Sequence, residues 1–239
     1  MISSSGINVM ANAATRQIHR LDSAVRNIVN VDTAGFKAER VHFLEGSTGA
    51  GTAKGRPARK PAPTADYSQG AMQKTGNVLD LAIRGEGFFA VQTKDGVAYT
   101  RDGRATLNEN GDLVSLAGDY ILGRGGKITI SGDDIQISEN GAVRVDGSEV
   151  DTLKIVSFRE PSALIKLNAR LYRNPDDVAG VQKGGDSQIK SGCLELSNVQ
   201  AIREMVEMIN IQRTFESYQK AIQTIDEQNK ASTSRVGKL

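Results

Sequence analysis

The sequence predicts an α+β fold: long N- and C-terminal helices packed as a coiled-coil-like pair, with a central antiparallel β domain. Three observations predict it. Apolar residues recur at helical spacing near both ends of the 239-residue chain. Between the two ends, short apolar runs alternate with a period of two, and turn dipeptides separate these runs.

The C-terminal helix is expected within residues 194–231, which contain neither Gly nor Pro. Ser197 and Gln200 form the S-x-x-Q pattern of a capping box, which predicts Ser197 as the N-cap. A helix of about 34 residues is roughly 50 Å long, so it needs a partner along its length. Its apolar side chains form two rows, which are Ile202, Val206 and Ile209, and then Met208, Ile211, Phe215, Tyr218, Ile222 and Ile225.

The N-terminal helix is expected within residues 3–31, and it is the predicted partner. Ile7, Ala14, Leu21 and Ile28 lie seven residues apart, which is heptad-like spacing. The alternative is two amphipathic helices that pack on one globular core. Gly35 is a residue type favoured at helix ends, and it marks the end of this segment.

A linker is expected after the first helix, because residues 46–70 are rich in Gly and Pro. Basic residues at 54–60 are interspersed in it without an interleaved aromatic residue, which favours a solvated or partner-facing loop over a nucleic-acid contact.

The β domain is expected from Val78 to about Phe158, where apolar residues alternate, as in Leu79, Leu81 and Ile83. Four dipeptides predict hairpins with type I′ turns, which require a positive φ at both central residues. They are Asp95-Gly96, Asn110-Gly111, Asn140-Gly141 and Asp146-Gly147. Residues 164–172 are expected to form a short helix or irregular structure.

Composition argues against several classes of partner. A net charge of +2 is too small to imply nucleic acid or an anionic membrane as the main partner. The single cysteine, Cys193, excludes an internal disulfide. No apolar run is long enough to span a membrane, and the N-terminus lacks the pattern of a Sec signal peptide.

The sequence predicts no catalytic, cofactor-binding or metal-binding residues. One cysteine with His19 and His42 does not form a zinc motif. Residues 85–90 match the G-x-G-x-x-A dinucleotide fingerprint, but that motif requires a following helix, and a strand is expected here. The chain is therefore expected not to be an enzyme.

Several segments match recurring sequence signatures. Residues 27–37, NIVNVDTAGFK, follow the pattern N-x-A-N-x-x-T-x-G-F-K, with Val29 in place of the alanine, and so resemble the N-terminal signature of flagellar rod and hook proteins. Residues 76–91 and the YTRDG segment at 99–103 resemble the central motifs of the family. Two C-terminal segments, LELSNV at 194–199 and QRTFE at 212–216, resemble its C-terminal signature.

The resemblance implies a structural subunit of the bacterial basal-body rod, the drive shaft that transmits torque to the hook. It implies contacts with other rod subunits and with itself, the type III export apparatus and the rings around the rod. It implies export from the cytoplasm to the periplasm-spanning rod without a cleaved signal peptide, no membrane insertion and no cofactor. The chain is most similar to proximal-rod subunits, and distal-rod or hook-type subunits are the alternative.

Four segments are expected, which are an inner-layer helix at 1–35, an extended linker at 36–75, the β domain at 76–190 and a second inner-layer helix at 191–239. The rival interpretation is a ligand-binding β domain with dimerising helices. The expected assembly interface comprises Ile7, Leu21, Ile28, Asn30, Gly35, Phe36, Ile202, Val206, Ile209, Phe215, Tyr218 and Ile222.

Overall fold

The computed structural model describes residues 4–41, 63–183 and 187–236. Side chains at 4–9, 176, 182–183, 226 and 228–236 lie outside this description, as do residues 42–62, which carry most of the predicted linker. The chain divides into two compact units. The first contains both helices, and the second is formed by residues 30–38 and 65–199.

The first unit is built on two helices, α1 (Ser4–Val29) and α2 (Ala201–Val236), which pack against each other. Arg20 forms an ion pair with Glu207. Asn27, further along α1, donates a hydrogen bond to Glu204, which comes earlier on α2. The two helices therefore run in opposite directions. A short strand, β1 (Glu39–Val41), lies against α1 and pairs with β2 (Pro63–Ala65).

The predicted coiled-coil-like pair is wrong. A coiled coil would bury a continuous apolar seam of both helices in the holes of the facing helix. Of the described side chains predicted to form that seam on α2, Ile211 alone is buried, at 2% exposure. Ile202, in the other row, is 80% exposed. Two packed helices cover one face of each other, so the row of Ile202, Val206 and Ile209 on α2 stays open.

The predicted N-cap is also wrong, because α2 begins four residues after Ser197. The Ser197 hydroxyl accepts a hydrogen bond from the Val199 backbone N–H, 3.2 Å away, and so stabilises a turn before the helix. The Glu204 N–H donates to the Gln200 carbonyl at 3.1 Å, where the helical bonding starts.

The second unit has an irregular entry at residues 30–38 and is otherwise made of short strands and two 3₁₀ turns (Pro161–Ala163 and Pro175–Asp177). Residues 164–172, for which a helix or irregular structure was expected, contain the two-residue strand Ile165–Lys166 and the start of the strand Leu171–Arg173. The strands are β3 (Met72–Lys74), β4 (Leu81–Arg84), β5 (Phe88–Thr93), β6 (Gly96–Thr100), β7 (Ala105–Leu107), β8 (Leu113–Ser115), β9 (Tyr120–Ile121), β10 (Ile135–Ile137), β11 (Ala142–Val145), β12 (Ser148–Thr152), β13 (Ile155–Phe158), β14 (Ile165–Lys166), β15 (Leu171–Arg173), β16 (Val181–Lys183), β17 (Gln188–Ser191) and β18 (Cys193–Glu195).

The main sheet has nine strands in the order β14-β15-β6-β5-β9-β8-β7, with β13 pairing both β5 and β16. A three-stranded sheet has the order β10-β11-β12. The last strands return to the first ones: β17 pairs with β4, and β18 pairs with β3, both antiparallel. The beginning and the end of the second unit are therefore joined by strand pairing.

β5 lies between two hydrophobic cores, because successive side chains of a strand point to opposite faces. Phe89 and Val91 belong to the larger core, with Leu81, Ile83 and Ile121 among its members. Phe88 and Ala90 belong to the smaller one. Its aromatic members are Phe88, Phe158 and Tyr172, with Tyr67 and Tyr99 packed at its edge. The segment after Gly87 is thus a buried strand, which fits the rejection of the dinucleotide fingerprint.

All four predicted turn dipeptides lie where the chain reverses between antiparallel strands. Asp146 and Gly147 have φ values of +50° and +82°, as a type I′ turn requires. In the other three turns, only the glycine has a positive φ. The type I′ prediction is therefore wrong for these three turns. At Asn110-Gly111 the Asn108 side-chain oxygen accepts hydrogen bonds from the N–H groups of Asn110 and Asp112, which stabilise a different turn.

Candidate functional site

The structure places the predicted interface residues in three settings. Ile202, Val206 and Ile209 are exposed, whereas Gly35 and Phe36 are buried. The others are half-buried, namely Leu21, Ile28, Asn30, Phe215, Tyr218 and Ile222. The side chain of Ile7 lies outside the described residues. That this set forms an assembly interface stays a prediction.

Each helix presents an exposed apolar face. Ile18, Val25 and Val29 lie at spacings of seven and four on α1, which places them on one side of that helix, and we call them the α1 face. Ile202, Val206 and Ile209 form the α2 face, with Met205 beside them. Val29 is 74% exposed. The packing of the described residues of the first unit therefore leaves apolar side chains of both helices exposed.

Asn27 ties the end of α1 to β1. Its amide nitrogen donates to the Glu39 carbonyl at 3.0 Å, and its side-chain oxygen accepts the Glu39 N–H at 2.7 Å. The Glu39 carboxylate accepts from Arg26 Nε at 2.7 Å. Asn27 is buried, and its two bonds to the Glu39 backbone satisfy groups that have lost contact with water. The position therefore requires a side chain with both a donor and an acceptor.

Three buried charges meet in the second unit, and we call Lys37, Arg101 and Glu195 the buried triad. Lys37 Nζ lies 2.7 Å from Glu195 Oε1, and Arg101 Nη1 lies 3.1 Å from Glu195 Oε2. Glu195 Oε1 also accepts the Gly70 N–H at 2.9 Å. The side chain of Glu195 is 0% exposed and that of Lys37 is 1% exposed. The triad joins the start, the middle and the end of the unit.

Burial makes the charged forms of Lys37 and Arg101 less favourable. Desolvation lowers the pKa of Lys37, and the attraction of Glu195 opposes that shift without cancelling it. Desolvation likewise lowers the pKa of Arg101, again opposed by Glu195. The Arg101 guanidinium also lies 5.3 Å from the ring centre of Phe88, a cation–π contact. Glu195 is therefore the main carboxylate that compensates both desolvated cations, and Asp66 adds a weaker attraction for Lys37 as Glu86 does for Arg101.

Asn198 adds further bonds beside the triad. Its side-chain oxygen accepts the Ala38 N–H at 2.8 Å, and its nitrogen donates to the carbonyl oxygens of Asp66 and Ser68. Phe36 packs with Ala38 and Val199 in a small third core. The two signature segments at the start and end of the second unit are thus interlocked by named side chains.

The described residues contain no group of three or more His, Cys, Asp or Glu side chains arranged to hold a metal ion. A cavity of about 300 Å³ lies in the helical unit, lined by charged residues that include Arg20, Glu39 and Glu207, which already form ion pairs. Among the described helices, none is long and apolar enough to cross a membrane.

The buried triad is the arrangement that sequence reasoning missed. Lys37, Arg101 and Glu195 each lie inside a segment that carries the family resemblance, and that was the available signal. Charged residues are rarely fully buried, so composition alone assigns them to the surface. Their pairing across the whole unit leaves no local spacing pattern.

Two family models match the chain. The model described as "Flagellar hook protein FlgE/F/G D1 domain" matches residues 82–145, which span β5 and its partners β6 and β9. The model described as "Flagellar basal body rod FlgEFG protein C-terminal" matches residues 190–235, which contain Glu195, Asn198 and all of α2 but its last residue. The matched segments therefore include part of the triad and the α2 face.

Whole-chain comparisons agree with these matches. The chain is 38% identical over 227 residues to the flagellar basal-body rod protein FlgF of Caulobacter vibrioides, covering 92% of both chains. It is 37% identical over 252 residues to the rod protein FlgG of Bacillus subtilis, covering 93% of this chain and 94% of that one. FlgG of Borreliella burgdorferi is 33% identical, with 90% and 92% covered. The chain therefore belongs to the family of structural flagellar basal-body rod proteins.

Proposed function

We propose that this chain builds the flagellar rod by packing the exposed apolar faces of its two helices against neighbouring rod subunits, both copies of itself and other axial proteins. The observation that carries the proposal is the exposure of the α1 face and the α2 face. An apolar side chain gains about 1.5–3 kcal/mol when it is fully buried, so two such faces favour association. Members of the family are named as rod proteins, which supports a rod subunit as the occupant.

Two different faces on one subunit suit a head-to-tail contact, which extends into a filament when the rotation does not close. The α1 helix and the part of α2 that carries the α2 face differ in the sign of their net charge. α1 carries three arginines against one aspartate, whereas the first sixteen residues of α2 carry two arginines against three glutamates. We therefore pair the α1 face of one subunit with the α2 face of the next.

The remaining parts of the proposal follow from the family. The subunit acts mechanically, as part of the drive shaft that transmits torque to the hook, and not as an enzyme. It reaches the periplasm-spanning rod through the flagellar type III export apparatus without a cleaved signal peptide, with the helices in the inner layer. It contacts the surrounding rings, and within the rod we assign it to the proximal segment.

Val206→Asp tests the packing of the α2 face. A carboxylate on a face buried only by a neighbour costs several kcal/mol at that contact and little in the free subunit, where Val206 is half exposed. We expect an unchanged thermal midpoint of the purified chain, with rod assembly and motility lost in a complemented deletion strain. Gln219→Asp, at an exposed position of the same helix, is the matched control and should assemble normally.

Two results would contradict the proposal. Normal rods with Val206→Asp would show that the α2 face is not a subunit contact. A lowered thermal midpoint would show that Val206 packs within its own subunit.

The position along the rod is tested separately, by locating the tagged chain in basal bodies arrested before the distal rod. A proximal subunit is present in such basal bodies and a distal one is absent.

A further inference from the structure

The order in which the triad residues occur along the chain has a physical consequence. Lys37 lies in the entry segment of the second unit, Arg101 follows β6, and Glu195 ends β18, almost at the last residue of the unit. Lys37 and Glu195 are 158 positions apart, and Arg101 and Glu195 are 94 positions apart. A chain that emerges from its N-terminus has both cations before it has the anion.

The cations are poorly compensated without Glu195. The other hydrogen-bond partner of Lys37 Nζ is the Ser68 carbonyl at 2.7 Å, and that of Arg101 Nη2 is the Gly85 carbonyl at 2.8 Å. Carbonyl oxygens carry only partial charges, and Arg101 Nε finds no hydrogen-bond partner among the described residues. Burying two such cations together without a carboxylate is strongly unfavourable.

The strand pairing has the same dependence on the last residues. β4 receives β17 across four residue pairs, from Gln188 with Arg84 to Ser191 with Leu81, although Leu81 and Ile83 lie in the middle of the larger core. β3 receives β18 across three pairs. The Gly35 N–H donates to the Glu195 carbonyl at 2.8 Å. Apart from the bond from the Leu81 N–H to the Gly103 carbonyl, the buried strand β4 and the exposed strand β3 thus lack strand partners until residues 188–195 arrive.

We propose that the buried triad is a folding latch that keeps the second unit from reaching a stable native state until residues 188–198 have docked. Before that event, the entry segment and the strands through β16 lack the carboxylate that bonds to both Lys37 and Arg101, with only the weaker attractions of Asp66 and Glu86 in its place, and β3 and β4 lack their strand partners. Docking supplies the anion and both strand partners in one step. A chain synthesised or delivered from its N-terminus therefore forms no stable fold over residues 30–187 until residues 188–198 are available to dock.

The latch predicts the order of protection in the wild-type chain. Refolding of the full chain from denaturant is followed by pulsed hydrogen exchange with mass spectrometry, which reports when each strand becomes protected. We expect the amides of β4–β6 to become protected in the same kinetic phase as those of residues 193–196. Protection of β4–β6 in an earlier phase, before residues 193–196, would overturn the proposal.

A variant of the full chain tests the role of the anion. Glu195→Gln keeps the shape and one acceptor but removes the charge, and we expect native-state exchange of β4–β6 amides to quicken at least tenfold. Asp102→Asn is the matched control. It also removes a buried carboxylate, but its partners Arg104 and Arg170 are 29% and 37% exposed and can be solvated, so exchange should change less than threefold.

A second variant separates the latch from ordinary destabilisation. Lys37→Met combined with Glu195→Gln leaves one buried cation instead of two, and it should recover at least half of the lost protection on the logarithmic scale. Slower exchange in the double variant than in Glu195→Gln supports the latch. Equal or faster exchange in the double variant, or an effect of Glu195→Gln confined to residues 68–74 and 193–198, would overturn it.

Discussion

The backbone of Gly35 lies against the peptide bond between Arg101 and Asp102. A Cβ at position 35 would lie 2.3 Å from the Arg101 carbonyl carbon and 2.3 Å from the Asp102 nitrogen. Gly35 also has a φ of +68°, which disfavours other residues. The G-F-K and R-D-G segments therefore meet at a point where only a hydrogen atom fits.

Gly35→Ala should destabilise the protein by about 3 kcal/mol or more, because both the backbone conformation and the backbone contact must change. Gly76→Ala is the matched control. Gly76 has a φ of +81° with no atom within 4 Å of an added Cβ, so the cost should be about 1–2 kcal/mol. Urea unfolding of both full-chain variants measures the difference. Equal losses would show that the close approach to Arg101 is not rigid.

Asn27→Ala should destabilise the first unit by about 2–3 kcal/mol, since it leaves the backbone N–H and carbonyl of the buried residue Glu39 without their partner. Asn12→Ala, on the exposed side of the same helix, should be neutral or stabilise slightly through helix propensity. Helical circular dichroism against urea concentration gives both values. A loss of unfolding free energy in Asn27→Ala no larger than in Asn12→Ala would contradict the conclusion that Asn27 joins α1 to β1.

Ile211→Ala should cost the helical unit about 2–4 kcal/mol, because Ile211 is the one buried apolar residue among the described side chains of α2 and its truncation leaves a cavity. Ile202→Ala should change the unfolding free energy by less than about 0.5 kcal/mol, since that side chain is already in water. Thermal unfolding of the two variants at one protein concentration makes the comparison. A large loss for Ile202→Ala in the monomer would place that side chain inside the subunit.

Tyr67 makes stability depend on alkaline pH. Burial among Phe88 and Tyr172 raises the pKa of Tyr67 to about 12, above the ordinary value of 10. Between those values the unfolded chain loses the phenolic proton while the folded chain keeps it. The stabilisation is therefore complete below pH 10 and is lost as the pH rises towards 12.

Tyr67→Phe removes this titration while keeping the ring. The thermal midpoint of Tyr67→Phe should fall less than that of the wild type between pH 10 and pH 12, and the two curves should run parallel below pH 9. A parallel fall across the whole range would mean that the Tyr67 phenol is solvated and does not titrate differently on unfolding.

Local patterns predicted elements well where local chemistry decides them. The dipeptides Asn140-Gly141 and Asp146-Gly147 mark real reversals, because glycine relieves a backbone constraint within the turn itself. Helical spacing also predicted the more buried side of α2, where Ile211 is buried and Phe215 and Tyr218 are half-buried.

Sequence reasoning failed where the decision is non-local. The Ser197-Gln200 pattern is compatible with a cap, but the preceding residues are held by the second unit through Glu195 and Asn198, and α2 starts later. Two apolar rows on α2 suggested a sealed seam, although spacing does not say how many partners a helix has. The pairing of Lys37, Arg101 and Glu195 depends on the tertiary path, which no local period encodes.

The pairing of Met72 with Glu195, at the ends of β3 and β18, has an engineering consequence. Both residues lie in the second unit, so everything between residues 72 and 195 is an insert with closely spaced ends, and β1, which belongs to the first unit, stays outside it. Such an insert is exchangeable as a cassette: a foreign domain whose termini are equally close can be grafted in its place, and the splice has to bridge only one strand spacing. The rod subunit is thereby a natural carrier for displaying unrelated domains along a filament.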